Sequence, residues 1–366
     1  MLEIIVQSIS GVIGGAMVLG SLLCLSRHPH WFVRGWEFPR VQIAVIVLVC
    51  GAIYAAVNSE WGWFDKVLLA AMGACFVWQL VVISRYTPLW PVSVKNAENR
   101  QAGREVRMVI SNVLMQNEER ELWKRTVLAE DPDLILAVET DETWCGLLRG
   151  MQDDYPHGVF QPQDNMYGMA MISRLELIDP EVKYIVDEEY PSIHSGVRMP
   201  SGDTFLMIGA HPPPPEPIRD KDSKERDAEL VILGRDYITG ERPTVIAGDL
   251  NDVAWSHSSR LFKRLSGMLD IRIGRGLFNT WDANSYWQRA PLDHVYHTDE
   301  FRLVDFHLLD YVGSDHFPMF AHLSFEPTGA RKQDAPELKQ GDQDEAAAKI
   351  DLQQKDGGVL SMEPAP

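Results

Sequence analysis

The sequence predicts an α/β domain of two β-sheets packed face to face with helices outside, preceded by three membrane-spanning helices. Two observations set this architecture. The first quarter of the chain is apolar with long charge-free stretches, and in the region that follows many short β-type runs outnumber the helical patterns. A third points to its use, because several of those runs end on carboxylate, amide or imidazole side chains. At 366 residues the chain is long enough for one large catalytic domain with attachments.

Residues 4–25 carry no charge and, at 1.5 Å per residue, cover the roughly 30 Å of hydrocarbon that a spanning helix must cross. Charge-free stretches at 41–59 and 67–84 supply the second and third spans, so a lipid bilayer is the expected partner of all three. Trp31, Phe32, Trp36, Trp61, Trp63, Phe64, Tyr86 and Trp90 fall where headgroup anchors belong. A cleavable signal peptide is disfavoured, since no basic leader precedes the first stretch and two more apolar segments follow. Gly11 and Gly15 form a GxxxG pair, to which no function is assigned. Arg27, Arg34 and Arg40 in the first loop, against Glu60, Asp65 and Lys66 in the second, place the first loop in the cytoplasm. Three spans then put the C-terminal domain there too, in a multi-pass protein of a plasma or inner membrane. Residues 1–90 are the expected anchor and 91–104 a linker.

Between 105 and 326 the pattern is catalytic in character. β-type runs recur at 106–113, 134–138, 168–173, 184–186, 204–210, 244–247, 292–296, 302–308 and 318–323, and helical patterns fit 118–129, 222–237 and 256–265. Residues 222–226 are expected on a solvated helix face. From 327 to 366 the chain is polar and aperiodic, which predicts a disordered acidic tail. Cys24, Cys50 and Cys75 lie in apolar spans and Cys145 stands alone, so neither a disulfide framework nor a zinc site is expected.

The formal net charge is −18, and residues 96–326 hold 23 basic against 40 acidic side chains, a net −17. That is the wrong sign for gripping long nucleic acid through its phosphates. A phosphate substrate must instead be held by a local metal ion and a few donors.

Asn112, Glu139, Asp249, Asn251 and Asp315 offer the oxygen donors that suit Mg²⁺ or Mn²⁺. His316 is the expected base for an attacking water, with Asp293 orienting its imidazole, and His211 a donor to the phosphate. Asp252, Asp282, His257, His294 and His297 are expected in solvated or structural roles, and the aromatics at 281–287 as core or cleft wall.

The motifs SNVLMQN, DLILAVET, GMAMISR, IGAHPPPP, VIAGDLND, PLDHVY and GSDHFP stand in one order across about residues 105–325. Each is weak alone. As an ordered set they resemble the endonuclease/exonuclease/phosphatase (DNase I-like) superfamily. The resemblance implies a four-layer α/β/β/α sandwich and divalent-metal-dependent hydrolysis of phosphate esters. It also implies that Glu139 is the principal metal ligand with Asn112 and Asp315 beside it. Asp249 and Asn251 would then position nucleophile and phosphate, and Asp293 and His316 would form the catalytic pair. Asn165, in QDNMYG, is a candidate contact to the substrate phosphate, with Asn251 and His211.

The resemblance leaves the substrate open between a nucleic acid and a phospholipid, sphingomyelin or inositol phosphate, with the motif wording leaning to a nuclease-like phosphodiesterase. Abasic-site repair is disfavoured by the acidic domain, and a catalytically silent membrane scaffold by the intact ligand set. No protein partner is deducible.

Overall fold

Burial alternates along the chain just as its apolar pattern does, and that alternation sorts the helices and strands into layers. The structure is a computed structural model that describes residues 1–216, 221–238, 240–327 and 333–355. It begins with helices α1 (Leu2–Leu23), α2 (Trp31–Gly35), α3 (Arg40–Val57) and α4 (Trp63–Ser84). Of these, α1, α3 and α4 are long and apolar enough to cross a membrane and pack on one another as a bundle. Val12, Leu19, Leu48, Trp63 and Val77 point outward from it, exposed. An apolar exterior of this kind is what candidate membrane spans present. At Gly20 a Cβ would lie 2.1 Å from the Trp36 ring, so glycine there lets the first loop fold back onto α1.

The catalytic region follows as β1 (Glu105–Asn112), α5 (Arg120–Ala129), β2 (Leu134–Val138), α6 (Glu142–Arg149), β3 (His157–Gln161) and β4 (Met169–Ser173). Next come β5 (Glu176–Tyr184), β6 (Pro191–Arg198), β7 (Thr204–Gly209) and α7 (Lys224–Ile232), the last ending in a π-helical turn, Leu233–Tyr237. The chain continues through β8 (Thr244–Asp249), α8 (His257–Ser266), β9 (Leu269–Asp270), β10 (Asp293–His297), β11 (Phe301–Leu308), β12 (Met319–Phe325) and α9 (Asp342–Lys355). One sheet is ordered β11-β12-β1-β2-β4-β3 and the other β5-β6-β7-β8-β10-β9. Val106, Met108, Leu136, Met207, Val245 and Val295 belong to the core between the sheets. Outside the first sheet, Trp123 of α5 and Trp144 of α6 pack on Val109 and Ile135; outside the second, Ile232 of α7 and Leu261 of α8 pack with Ile208 and Ile246. The layers are therefore α/β/β/α, as expected.

Two expectations are corrected. The tail expected as disordered carries α9, with Ala346 and Ile350 buried in the outer core of the second sheet and Asp342 paired to Arg264 at 2.7 Å. Its apolar side chains are too few for periodicity to reveal it, and residues 328–332 and 356–366 of that tail lie outside the described residues. The face at 222–226 is not fully solvated: Arg226 is buried and bonded to Asp227, because helix and active-edge loop close over it. Short β3, β6 and α6 were not foreseen, and β5 runs N-terminal to the expected 184–186. Residues 91–104 lie along the domain, with Val94 buried and Ala97 N donating to Leu303 O at 2.8 Å.

Candidate active site

Strand direction brings the polar chain ends together. β1 and β2 run parallel with Asn112 opposite Val138, so Asn112 and Glu139 leave the first sheet at one edge. β7 and β8 are parallel in the second sheet, which carries His211 and Asp249 to the facing edge. β10 runs antiparallel to β8 and starts there, with Asp293 directly opposite Asp249. Asp315 and His316 precede β12, whose Met319 pairs with Ile110 of β1. Glu139 and Asn251 hold φ of 63° and 50°, uncommon away from glycine and a form of strain that collects at functional edges. Asn251 is kept there by Asn251 N donating to Asp249 Oδ1 at 2.9 Å and Asn251 Nδ2 to Pro212 O at 3.0 Å.

Asp249 Oδ2 is the hub. Asn112 Nδ2 donates to it at 3.1 Å and to Glu139 Oε1 at 2.7 Å. His316 Nε2 lies 3.5 Å and His211 Nε2 3.8 Å from the same oxygen. His316 Nδ1 donates to Asp293 Oδ2 at 2.7 Å, an orientation that leaves Nε2 facing Asp249. The ligand atoms of Asp249, Asp293 and His316 lie within 4.8 Å of one another. Asp315 Oδ2 accepts from Trp281 Nε1 at 3.2 Å. Asn165 is exposed, its Oδ1 accepting from Tyr167 N at 3.1 Å, and among the described residues it makes no hydrogen bond to this cluster.

Burial without compensation governs the charges. It lifts the Glu139 carboxyl to about 7, opposed by the Asn112 hydrogen bond and His316 and helped by Asp249 and Asp315. For His316 burial acts downward, but the Asp293 and Asp249 carboxylates overrule it and hold the imidazolium up to about 10. His211 is lowered by burial, the nearby Asp249 opposing, and is therefore a neutral hydrogen-bond donor at pH 7. Glu139 Oε2, Asp315 Oδ1 and Asp293 Oδ1 are buried with no hydrogen-bond partner. Buried carboxylate oxygens without partners at the strand ends and loops of one edge suit a hard divalent cation such as Mg²⁺ or Mn²⁺, although the tight Asp249, Asp293 and His316 group includes neither Glu139 nor Asp315. Asn112 Oδ1 accepts from Leu114 N at 3.0 Å, so the Asn112 amide also braces the carboxylates around it.

Four supporting residues surround these groups, of which only Trp281 was expected, as core or cleft wall. Thr280 Oγ1 accepts from Asp293 N at 3.2 Å, and Ser314 Oγ donates to Asn112 O at 2.8 Å while accepting from His316 N at 3.0 Å. Tyr167 packs against His211 with ring centroids 5.4 Å apart, and Trp281 braces Asp315. Ser314 and Tyr167 stand inside quoted motifs and could have been found there. Thr280 carries no local signal.

The sequence profile of the Endonuclease/Exonuclease/phosphatase family matches residues 110–316, from β1 to His316. The chain belongs to that family. Its members are phosphoesterase hydrolases, generally dependent on a divalent metal. No curated protein matches the chain. Among solved structures, the human Nocturnin catalytic domain with bound sulfate is similar with a TM-score of 0.50 at 18% identity, covering 63% of this chain and 96% of that one. An endonuclease/exonuclease/phosphatase from Bacteroides vulgatus gives 0.48 at 17%, covering 61% and 99%. A humanized D. rerio TDP2 gives 0.48 at 16%, covering 60% and 99%. The Nocturnin likeness supports the DNase I-like fold.

Proposed function

We propose that this chain is a membrane-tethered, divalent-metal-dependent phosphodiesterase in which His316 takes the proton of the attacking water. The observation that supports it most is the pairing of Asp293, His316 and the Asp249 hub beside three partnerless carboxylate oxygens. Glu139 and Asp315, with Asn112 beside them, would hold the cation. A bound dication supplies polarisation of a phosphoryl oxygen and offsets the negative field that otherwise keeps His316 protonated. Asp249 and Asn251 position the water, Asp293 fixes the His316 tautomer and steadies the imidazolium, and neutral His211 donates to the phosphate. Both a nucleic-acid and a lipid diester satisfy this chemistry.

The tether is residues 1–90. Ser223 N donates to Pro29 O at 2.9 Å and Trp255 Nε1 to Glu37 O at 2.7 Å, so the first loop lies on the α/β domain, a contact that supports a topology with both on one side of the bilayer. The arginines of that loop favour the cytoplasmic side, a bias that acts during insertion, before Arg34 and Arg40 are buried.

The test is hydrolysis of bis-p-nitrophenyl phosphate by the full chain in detergent, with and without Mg²⁺ or Mn²⁺. Metal-dependent turnover lost in His316→Ala and Glu139→Gln is the expected result. Turnover that ignores the metal or survives both substitutions overturns the proposal.

A further inference from the structure

An apolar cavity of about 420 Å³ lies between the membrane helices and the active-site loop. Its walls include Met17 of α1, Trp36 and Phe38 of the first loop, Ile46 of α3, and Trp281 and Trp287 of the loop before β10. We infer that this cavity seats the acyl chain of a membrane phospholipid whose phosphodiester is the substrate. The inference rests on the phosphodiesterase reading above and names its substrate class.

Depth is the first argument. The domain-side ends of the spans are Leu23 of α1 and Arg40 of α3. Met17 and Ile46 each lie six residues further in, about 9 Å below those ends at 1.5 Å per residue. The cavity therefore begins at the level of acyl chains and rises to the catalytic edge. Continuity with the reacting groups is the second. Trp281 walls the cavity, donates Nε1 to Asp315 Oδ2 at 3.2 Å and pairs as an isolated β-bridge with His316. The same loop is tied to the span by Gln42 Nε2 donating to Trp287 O at 2.5 Å. It also presents Tyr286 and Trp287 exposed, the aromatic pair suited to a headgroup layer.

Charge is the third. Arg289 lines the cavity with its guanidinium 4.6 Å from the ring centroid of Phe317, the neighbour of His316. It gives the cavity wall one cation, which also donates Nε to Ser285 O and can meet a single phosphate. A domain of net −17 repels a polyanion and tolerates a zwitterionic headgroup. A cavity of this size falls in the usual range for small-ligand sites.

In the reaction the water oxygen bonds to phosphorus and one phosphorus–oxygen ester bond breaks. The water's proton goes to His316, the leaving alkoxide takes up one proton from solvent water to become an alcohol, and His316 returns its proton to solvent, so that no net proton stays on the protein. The products are that alcohol and a phosphomonoester.

The experiment uses the full chain in phosphatidylcholine nanodiscs with Mg²⁺, reading phosphomonoester by ³¹P NMR, beside bis-p-nitrophenyl phosphate and a single-stranded oligonucleotide. Met17→Trp and Ile46→Trp fill the cavity without touching the catalytic groups. Each is expected to lower phosphatidylcholine turnover by about tenfold or more while leaving the soluble diester within about twofold. In metal-free protein, phosphatidylcholine with a diazirine in its acyl chain is expected to crosslink within 36–46 and 281–290, and less so in Ile46→Trp. Hydrolysis of the soluble diester with phosphatidylcholine intact, preference for the oligonucleotide, or phosphatidylcholine turnover unchanged in both variants overturns the lipid assignment alone. Failure on all three substrates overturns the phosphodiesterase reading with it.

Discussion

Replacing Asp293 by Asn removes one charge from the catalytic pair and nearly keeps its shape. Asp293 Oδ2 receives the His316 Nδ1 hydrogen at 2.7 Å, and both side chains are buried. With charge centres ~4 Å apart and an effective dielectric of about 20, their attraction is ~4 kcal/mol. At 1.36 kcal/mol per tenfold this is nearly three decades of proton affinity, enough to bring His316 from about 10 to ~7 in the variant. Because the folded value lies above 6.5, His316 in the metal-free wild type contributes stability that is complete below pH 6.5 and lost as pH rises towards about 10. The metal-free wild type should therefore lose Tm across that window more steeply than Asp293→Asn. With Mg²⁺, the variant should lose ~10³- to 10⁴-fold in kcat, since an amide imposes the wrong tautomer on the imidazole. Differential scanning calorimetry against pH, a ¹³Cε1 histidine titration, and turnover of bis-p-nitrophenyl phosphate test these together. An unmoved His316 titration, or activity within about tenfold of wild type, refutes the pairing as the source of the base.

Glu139→Gln removes a carboxyl that burial raises to about 7, so the native wild type without metal holds a proton that the unfolded chain releases above 4.5. Its Tm should fall from pH 4.5 to pH 7, and the variant should flatten that fall and lose the Tm gain on adding Mg²⁺; a retained gain would place the ion elsewhere. Gly248→Ala sets a Cβ 2.0 Å from Ala210 O at a φ of 141°, and should cost ~2–3 kcal/mol in urea unfolding, an unchanged midpoint telling against so tight a junction of β7 and β8. Asp342→Asn breaks a two-point contact in which Arg264 Nε and Nη2 donate at 2.7 and 2.9 Å. The largely buried pair should cost ~3 kcal/mol and loosen α9, seen as faster amide exchange at 342–355; exchange like that of wild type would show α9 to be held by its apolar contacts.

Much of the proposed catalytic set was legible because Asn112, Glu139, His211 and Asp249 close or follow apolar strands while Asp293 opens one, and such residues project at the sheet edge. Asn112 after Met108 to Ile110 and Asp249 after Val245 to Ala247 show the rule. Asn165 shows its limit: it stands inside the loop between β3 and β4, removed from either strand end, and it is exposed. Thr280 was silent, and the hydrogen bond of the cleft-wall Trp281 to Asp315 could not be read, because both act at long range through an irregular loop with no period to read. Charged residues misled for a related reason. Local pattern assigns a charge to solvent unless its partner is near in sequence. Arg226 reaches Asn251 O at 2.8 Å and Arg34 lies 3.9 Å from Asp227, both across long separations.

Those buried arginines bear on what the proposed anchor would do. Arg34 of the first loop, Lys349 of α9 and Arg226 of α7 converge on Asp227, whose carboxyl they hold far below the usual range against burial. Arg226 also reaches Asp252 at 3.4 Å and the Asn251 carbonyl, so the cluster runs from membrane loop to active-edge loop without a flexible joint. A tether that only raised local concentration would need no such contact, and a linker would serve. Burying several charges in one place is costly unless every member is paired, and here the pairing fixes the catalytic edge to the ends of the spans. A fixed orientation matters when the substrate itself is held at a set depth, which is the condition the cavity beside Trp281 meets.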